Sequence, residues 1–142
     1  MTEIDMKGVS KGALLGGMIS GAIGIVLYFV GGAIGADFKT ARPEEMGMTV
    51  LPPFQPMVIC LIAAVVSIGV MFALKKFAPA KAWSVYLAVA VFVFLVELYM
   101  PFWAFADMKT ILTLELMHIP PTLLIVGGIK RFGFKALAPV PA

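Results

Sequence analysis

Four long apolar runs constrain this chain more than any other feature of its 142 residues. A helix that crosses a hydrocarbon core of roughly 30 Å needs about 20 mainly apolar residues. Four stretches meet this requirement, at about residues 13–36, 57–74, 83–105 and 110–129. Since a bilayer cannot satisfy bare backbone groups, each run is predicted to be a helix rather than a strand. The sequence therefore predicts an all-α four-transmembrane-helix bundle, with residues 1–142 forming one membrane domain.

The composition supports the same fold class and excludes two others. Hydrophobic residues make up 61% of the chain and charged residues 13%, against roughly 45–50% and about 25% in an ordinary soluble domain. So few charges cannot cover the surface of a soluble enzyme, and so much apolar mass excludes disorder. The basic residues lie in short clusters beside apolar runs, so the predicted partner is the lipid bilayer and not a nucleic acid.

The distribution of Lys and Arg predicts the orientation in the membrane. With the N-terminus inside, eight of these residues lie on the inner side and three on the outer side. Because positive residues accumulate on the cytoplasmic side, both termini are predicted to be cytoplasmic. The long outer loop is then residues 37–56. The inner residues are Lys7, Lys11, Lys75, Lys76, Lys81, Lys130, Arg131 and Lys135, and the outer ones are Lys39, Arg42 and Lys109.

The first run contains a row of small residues at a spacing of four: Gly12, Gly16, Ser20 and Gly24. Small residues let helix backbones approach closely, which is one of the main sources of helix association in lipid. The row predicts either packing within the bundle or the seam of a homodimer, and both alternatives are open at this point. Membership of a larger membrane complex is a further alternative.

Three ionisable residues interrupt the last two runs: Glu97, Glu115 and His118. Ionisable groups are costly inside a bilayer and usually face the interior of a bundle. At a rise of about 1.5 Å per residue, all three lie about 8–12 Å below the outer surface, and Tyr28 and Cys60 reach a similar depth. These five residues are the candidate lining of a polar pocket in the outer half of the bilayer.

The proline pair Pro120-Pro121 follows this cluster directly. Proline has no N–H, so the carbonyls of Leu116 and Met117 lose their usual donors. A kink in the last helix is predicted at this pair. Broken backbone at membrane depth is tolerated where it is buried in protein or lines a cavity, which again indicates a pocket.

Three interpretations compete for the polar cluster. In the structural interpretation, His118 pairs with Glu97 or Glu115 and only fixes helix packing. In the binding interpretation, the cluster lines a pocket for a small apolar or cationic molecule, or forms a proton site. In the catalytic interpretation, Glu97, Glu115 and His118 act as acid and base on a lipid-soluble substrate.

A metal site is not predicted. Glu115 and His118 form a Glu-x-x-His sequence, which is half of the di-iron carboxylate signature. That signature needs two such pairs and two further Glu residues, so one chain with a single His cannot build it. A mononuclear site would need mixed ligands from several helices, among them Cys60, and this is a weak signal. The sequence leaves the cofactor unknown.

The order of features resembles a family of short bacterial four-helix membrane proteins known only as a domain of unknown function. The similar segments are the glycine-rich first run with Leu27-Tyr28, the approach Leu51-Pro52-Pro53-Phe54, and the triplet Leu116-Met117-His118. The resemblance implies a location in the bacterial inner membrane and supplies no activity. The prediction is therefore a non-enzymatic ligand-binding or accessory membrane protein, with a membrane enzyme as the alternative.

Overall fold

The computed structural model describes residues 2–41, 48–103 and 106–136. Within these residues it contains four helices, each long and apolar enough to cross a membrane, which confirms the all-α four-helix prediction. Short two-stranded sheets join the helix ends. In chain order the elements are β1 (Thr2–Ile4), α1 (Met6–Ala33), β2 (Lys39–Ala41), β3 (Met48–Val50), α2 (Gln55–Phe77), a 3-10 turn (Pro79–Lys81), α3 (Ala82–Trp103), α4 (Met108–Gly133) and β4 (Phe134–Ala136).

The helices run past the predicted bounds at the end of the bundle that holds β1 and β4. α1 begins at Met6 rather than at residue 13, and α4 ends at Gly133 rather than at residue 129. The Asp5 carboxylate accepts the backbone N–H of Lys7 at 3.0 Å, so α1 is capped before its apolar run starts. The prediction followed hydropathy alone and therefore missed the charged first and last turns.

The opposite end of α1 lies earlier than predicted, at Ala33 rather than at residue 36. Gly35 has a φ of +95°, which L side chains rarely adopt. The N–H of Ala36 bonds to the carbonyl of Gly31 at 2.9 Å, and that of Gly35 to Gly32 at 3.0 Å. This is a Schellman motif, and it ends the helix although the residues that follow are apolar.

The prolines inside the helices do not end them. α4 continues through Pro120 and Pro121 to Gly133, and α3 continues two residues beyond Pro101. The Thr122 hydroxyl donates to the carbonyl oxygen of His118 at 3.0 Å, directly beside the proline pair. α4 is therefore not broken at this point, and the kink itself stays a prediction.

α1 lies against both α4 and α2, and its glycines make the contact. A Cβ on Gly12 would overlap the carbonyl oxygen of Gly128, and one on Gly16 would lie 2.5 Å from the carbonyl oxygen of Leu124, both on α4. A Cβ on Gly24 would lie 2.7 Å from the Cβ of Pro56 on α2. These glycines thus pack within the bundle. A homodimer through the same face stays a prediction, and it would require α1 to separate from its neighbours.

The strands β1 and β4 meet at one end of the bundle. β1 pairs with β4 in antiparallel register, with Ile4 opposite Phe134. The ammonium group of Lys75, at the end of α2, donates to the carbonyl oxygen of Ile4 at 2.7 Å. Trp83 packs edge-on against Phe134, with ring centroids 5.3 Å apart. This end is held by strand pairing and by contacts from both α2 and α3.

The other end contains the β2–β3 hairpin, which replaces part of the predicted loop 37–56; residues 42–47 lie outside the described residues. Phe38 is buried at a φ of +52°, and its N–H donates to Thr110 Oγ1 at 3.0 Å. Thr110 in turn donates to Asp107, the N-cap of α4. The Thr110 hydroxyl and the backbone N–H groups of Thr110 and Lys109 lower the pKa of Asp107 to about 2.

Candidate functional site

A cavity of about 420 Å³ lies between α2 and α3, with α4 as its floor. α3 makes its main contact with α4 and meets α2 at few places, so a groove remains between α2 and α3. Tyr28, Leu51 and Pro52 close the groove at the hairpin end. The remaining lining residues are mostly aliphatic.

Each of the three helices presents one face to this groove. On α3 the lining residues recur at spacings of three and four, from Tyr86 through Ala90 and Val93 to Glu97. The corresponding face of α4 runs from Leu114 through His118 to Val126. This is the period of one helical face, so ordinary helix geometry aims Glu97 and His118 into the same space.

Glu97 and His118 form the polar centre of the groove. Glu97 comes from α3 and His118 from α4, and their charges are close enough to interact. Cys60 is buried on α2 and forms no disulfide. It also interacts electrostatically with Glu97. The structure thus brings together three predicted site residues from three different helices.

Glu115 stands apart from the groove. It is not among the residues that line the cavity, although its charge interacts with that of His118. Its Oε1 atom is buried and has no hydrogen-bond partner among the described residues, and the same holds for Nδ1 of His118. His118 therefore interacts electrostatically with two carboxyl groups, of which only that of Glu97 lines the cavity.

Tyr28 forms part of the wall at the hairpin end. Its hydroxyl donates to the carbonyl oxygen of Leu51 at 2.7 Å. Its ring stacks on Phe38, with centroids 4.1 Å apart and an interplanar angle of 18°. The hydroxyl is already engaged within the protein, so Tyr28 shapes the cavity with its ring and holds the hairpin to α1.

Sequence reasoning missed four further polar residues of the wall: Gln55, Ser67, Tyr86 and Thr122. Ser67 interacts with the hydroxyl of Tyr86 across the groove. Three of them lie at helical spacing from a residue that the sequence did single out: Thr122 four residues after His118, Ser67 seven after Cys60 and Tyr86 eleven before Glu97. This spacing was the available signal, but a single polar hydroxyl or amide in an apolar run is common and did not stand out.

The described residues contain no group of three or more His, Cys, Asp or Glu side chains arranged to hold a metal ion. Cys60, Glu97 and His118 interact through charge without forming such a group. The chemistry that the site offers is hydrogen bonding and charge pairing beside an apolar wall.

Comparison with known proteins gives one result. The chain matches a family of unknown function (DUF6069) over residues 5–133, and it belongs to this family. Searches of curated proteins and of solved structures found no match. The matched region includes all four helices, so the family relation covers the whole bundle and assigns no activity to the groove.

Proposed function

We propose that this member of a family of unknown function is a non-enzymatic binding or accessory protein of a bacterial inner membrane. It holds one small amphiphilic molecule in the groove between α2, α3 and α4, and both of its termini are cytoplasmic. The observation that carries the proposal is the cavity of about 420 Å³ with few polar groups in an apolar wall. Ligand sites in proteins have roughly 300–1,000 Å³ and the same mixture of lining residues.

The groove is accessible from the side. Ile62 and Val66 of α2 and Val93 of α3 line the cavity, and they are also 53%, 58% and 44% exposed. In a bilayer these side chains face lipid tails, so a molecule dissolved in the membrane reaches the groove without crossing water. The ligand therefore comes from the bilayer.

Bulk lipid tails alone do not complement this groove. An acyl chain covers the aliphatic wall, but it leaves Glu97 and His118 in contact with hydrocarbon and without hydrogen bonds. An ionisable group in that position is unfavourable by several kcal/mol. A molecule with a polar head at the level of Glu97 and an apolar body along the groove satisfies both parts of the wall.

Native mass spectrometry in mild detergent tests the proposal. The first variant is Ala90→Phe, which fills the groove from α3 without changing its polar residues. The matched control is Ala88→Phe on the same helix, whose side chain is exposed and lies outside the groove. We expect the wild type and Ala88→Phe to carry a bound molecule and Ala90→Phe to lose it. Equal occupancy in all three, or none in the wild type, would contradict the proposal.

A second variant separates binding from the alternatives. Replacing both polar groups, Glu97→Gln with His118→Ala, should release the molecule while the protein stays folded. If the variant unfolds and the wild type carries nothing, the pair is structural. If the bound molecule is chemically altered by the wild type but only held by Glu97→Gln, the protein is an enzyme acting on a lipid-soluble substrate.

A further inference from the structure

We infer that α3 binds one anionic phospholipid on its exposed side, with the phosphate group beside Lys81 and Ser84 and an acyl chain along the helix toward Phe92. The site is a surface depression that we call the α3 face. It shares only Val89 with the groove of the proposed function, and it does not depend on what that groove holds. The residues that line the α3 face are Lys81, Ser84, Val85, Ala88, Val89 and Phe92.

The α3 face has the length of one acyl chain. Its residues recur at spacings of three and four, so they form a single stripe along the helix. Phe92 lies 11 residues after Lys81, which is about 16 Å at the helical rise. Half of the hydrocarbon core of a bilayer is about 15 Å thick. A chain that starts at Lys81 therefore ends near the middle of the bilayer, as the acyl chain of a phospholipid in one leaflet does.

The side chains of the α3 face alternate in size across the stripe. Ser84 and Ala88 are small and lie four residues apart, so they form one side of the depression. Val85, Val89 and Phe92 are larger and form the other side. All five side chains are exposed. In a bilayer this depression is therefore filled by lipid, and its shape accommodates one chain lying along the helix.

Two hydrogen-bond donors lie together at the start of the stripe. Lys81 and Ser84 are three residues apart, which places them on one face of the helix. Neither has an ion pair or a side-chain hydrogen bond within the described residues. The other two lysines of this connection are engaged, because Lys75 donates to the carbonyl oxygen of Ile4 and Lys76 lies over an aromatic ring. The ammonium group of Lys81 and the hydroxyl of Ser84 can thus both donate to phosphate oxygens, the first in a charge-assisted hydrogen bond.

The charges at this end of the bundle favour an anionic headgroup over a zwitterionic one. Among the described side chains at this end there are seven cations and two carboxyl groups, Glu3 and Asp5. The only carboxyl group of α3, Glu97, lies 16 residues beyond Lys81, about 24 Å along the helix. A zwitterionic headgroup brings its own cation into this basic region, whereas an anionic one does not. The seven cations are Lys7, Lys11, Lys75, Lys76, Lys81, Lys130 and Arg131.

Two phospholipids with identical acyl chains test the inference: dioleoyl phosphatidylglycerol, which is anionic, and dioleoyl phosphatidylcholine, which is zwitterionic. Each is titrated into purified protein in nonionic detergent, and the first bound lipid is quantified by native mass spectrometry. We expect the anionic lipid to bind about fivefold more tightly, the ratio that one lysine near an anionic headgroup supplies. Free glycerol phosphate should not displace it, because the acyl chain contributes to binding.

Two pairs of variants assign the binding to the α3 face. Lys81→Gln should abolish the preference for the anionic lipid, whereas Lys76→Gln removes the same charge outside the α3 face and should retain it. Ala88→Phe fills the depression and should lose the tightly bound lipid. Its control is Ala73→Phe on α2, where the side chain is also exposed and lines neither site. All four positions are exposed, so these substitutions leave the packing of the bundle intact.

Three results would overturn the inference. Equal binding of the two lipids by the wild type would mean that the α3 face does not recognise an anionic headgroup. Equal losses in Lys81→Gln and Lys76→Gln would attribute the preference to the overall charge of this end. Unchanged lipid binding in Ala88→Phe would place the acyl chain elsewhere. None of these results bears on the groove of the proposed function, whose ligand Ala88→Phe retains and Ala90→Phe loses.

Discussion

Gly12 of α1 and Gly128 of α4 face each other so closely that the carbonyl oxygen of each occupies the space that a Cβ of the other would need. The same antiparallel alignment brings Gly16 against Leu124 and Gly8 against Phe132. The two backbones therefore touch directly over several turns. Such close approach allows dispersion contacts and Cα–H···O interactions to associate helices where the hydrophobic effect gives little help.

The first prediction concerns this contact. Gly12→Ala introduces a methyl group against the backbone of α4, which cannot give way as a flexible side chain can. Overpacking of this kind destabilises a protein by about 1–3 kcal/mol, so we expect a lower midpoint of thermal unfolding in detergent.

The control for this experiment is Gly127→Ala, one residue from the contact. A Cβ there meets no atom within 4 Å, and alanine is the better helix former by roughly 0.5–1 kcal/mol. Its unfolding midpoint should equal or exceed that of the wild type. Equal losses in the two variants would mean that α1 and α4 do not pack as described.

The second prediction concerns the bond that holds the hairpin to α1. Tyr28→Phe removes the hydroxyl that donates to Leu51 at 2.7 Å, and we expect a loss of about 0.5–1.5 kcal/mol in stability. Tyr99→Phe is the control, because Tyr99 is 62% exposed on α3. Faster hydrogen exchange of the Leu51 amide in Tyr28→Phe alone would support the assignment, and unchanged exchange would argue against it.

The third prediction concerns Lys75, which donates to the carbonyl oxygen of Ile4. Lys75→Met should loosen the pairing of β1 with β4, by about 1 kcal/mol for a partly exposed bond. Lys76→Met removes the same charge from the neighbouring position, where the ammonium group lies over the ring of Phe77. Hydrogen exchange at the Ile4 and Phe134 amides is the measurement. If both variants changed hydrogen exchange equally, the cause would be the lost net charge and not the bond from Lys75 to Ile4.

The fourth prediction is a pH dependence at the start of α4. The folded pKa of Asp107 is about 2, below its ordinary value of 3.8, so the folded state favours the carboxylate. The contribution of Asp107 to stability is complete above about pH 4 and is lost as the pH falls toward 2.

Asp107→Asn keeps a capping oxygen but cannot titrate. The difference in unfolding midpoint between the wild type and this variant should therefore shrink between pH 4 and pH 2. A difference that stays constant over this range would show that the cap does not depend on the charge.

The candidate site could be predicted only in part. Glu97, His118, Cys60 and Tyr28 were singled out by residue type and depth, and all four line the cavity. Glu115 met the same criteria as Glu97 but does not line the cavity, although Leu114 and Met117 of the same helix do. A difference of one or two positions along a helix turns a side chain to another face. Ser67 and Tyr86 were missed, since their polar groups find each other only when α2 and α3 come together.

The sequence alone determined that the chain forms four helices long and apolar enough to cross a membrane, because this follows from the thickness of a bilayer and the rise of a helix. It also predicted that α1 packs closely against another helix, since a row of small residues lets helix backbones approach. Only the tertiary structure decided which helix covers that row and which carboxylate faces the groove. In a helix that is apolar on all sides no periodic pattern sets its rotation, so contacts with the neighbouring helices set it.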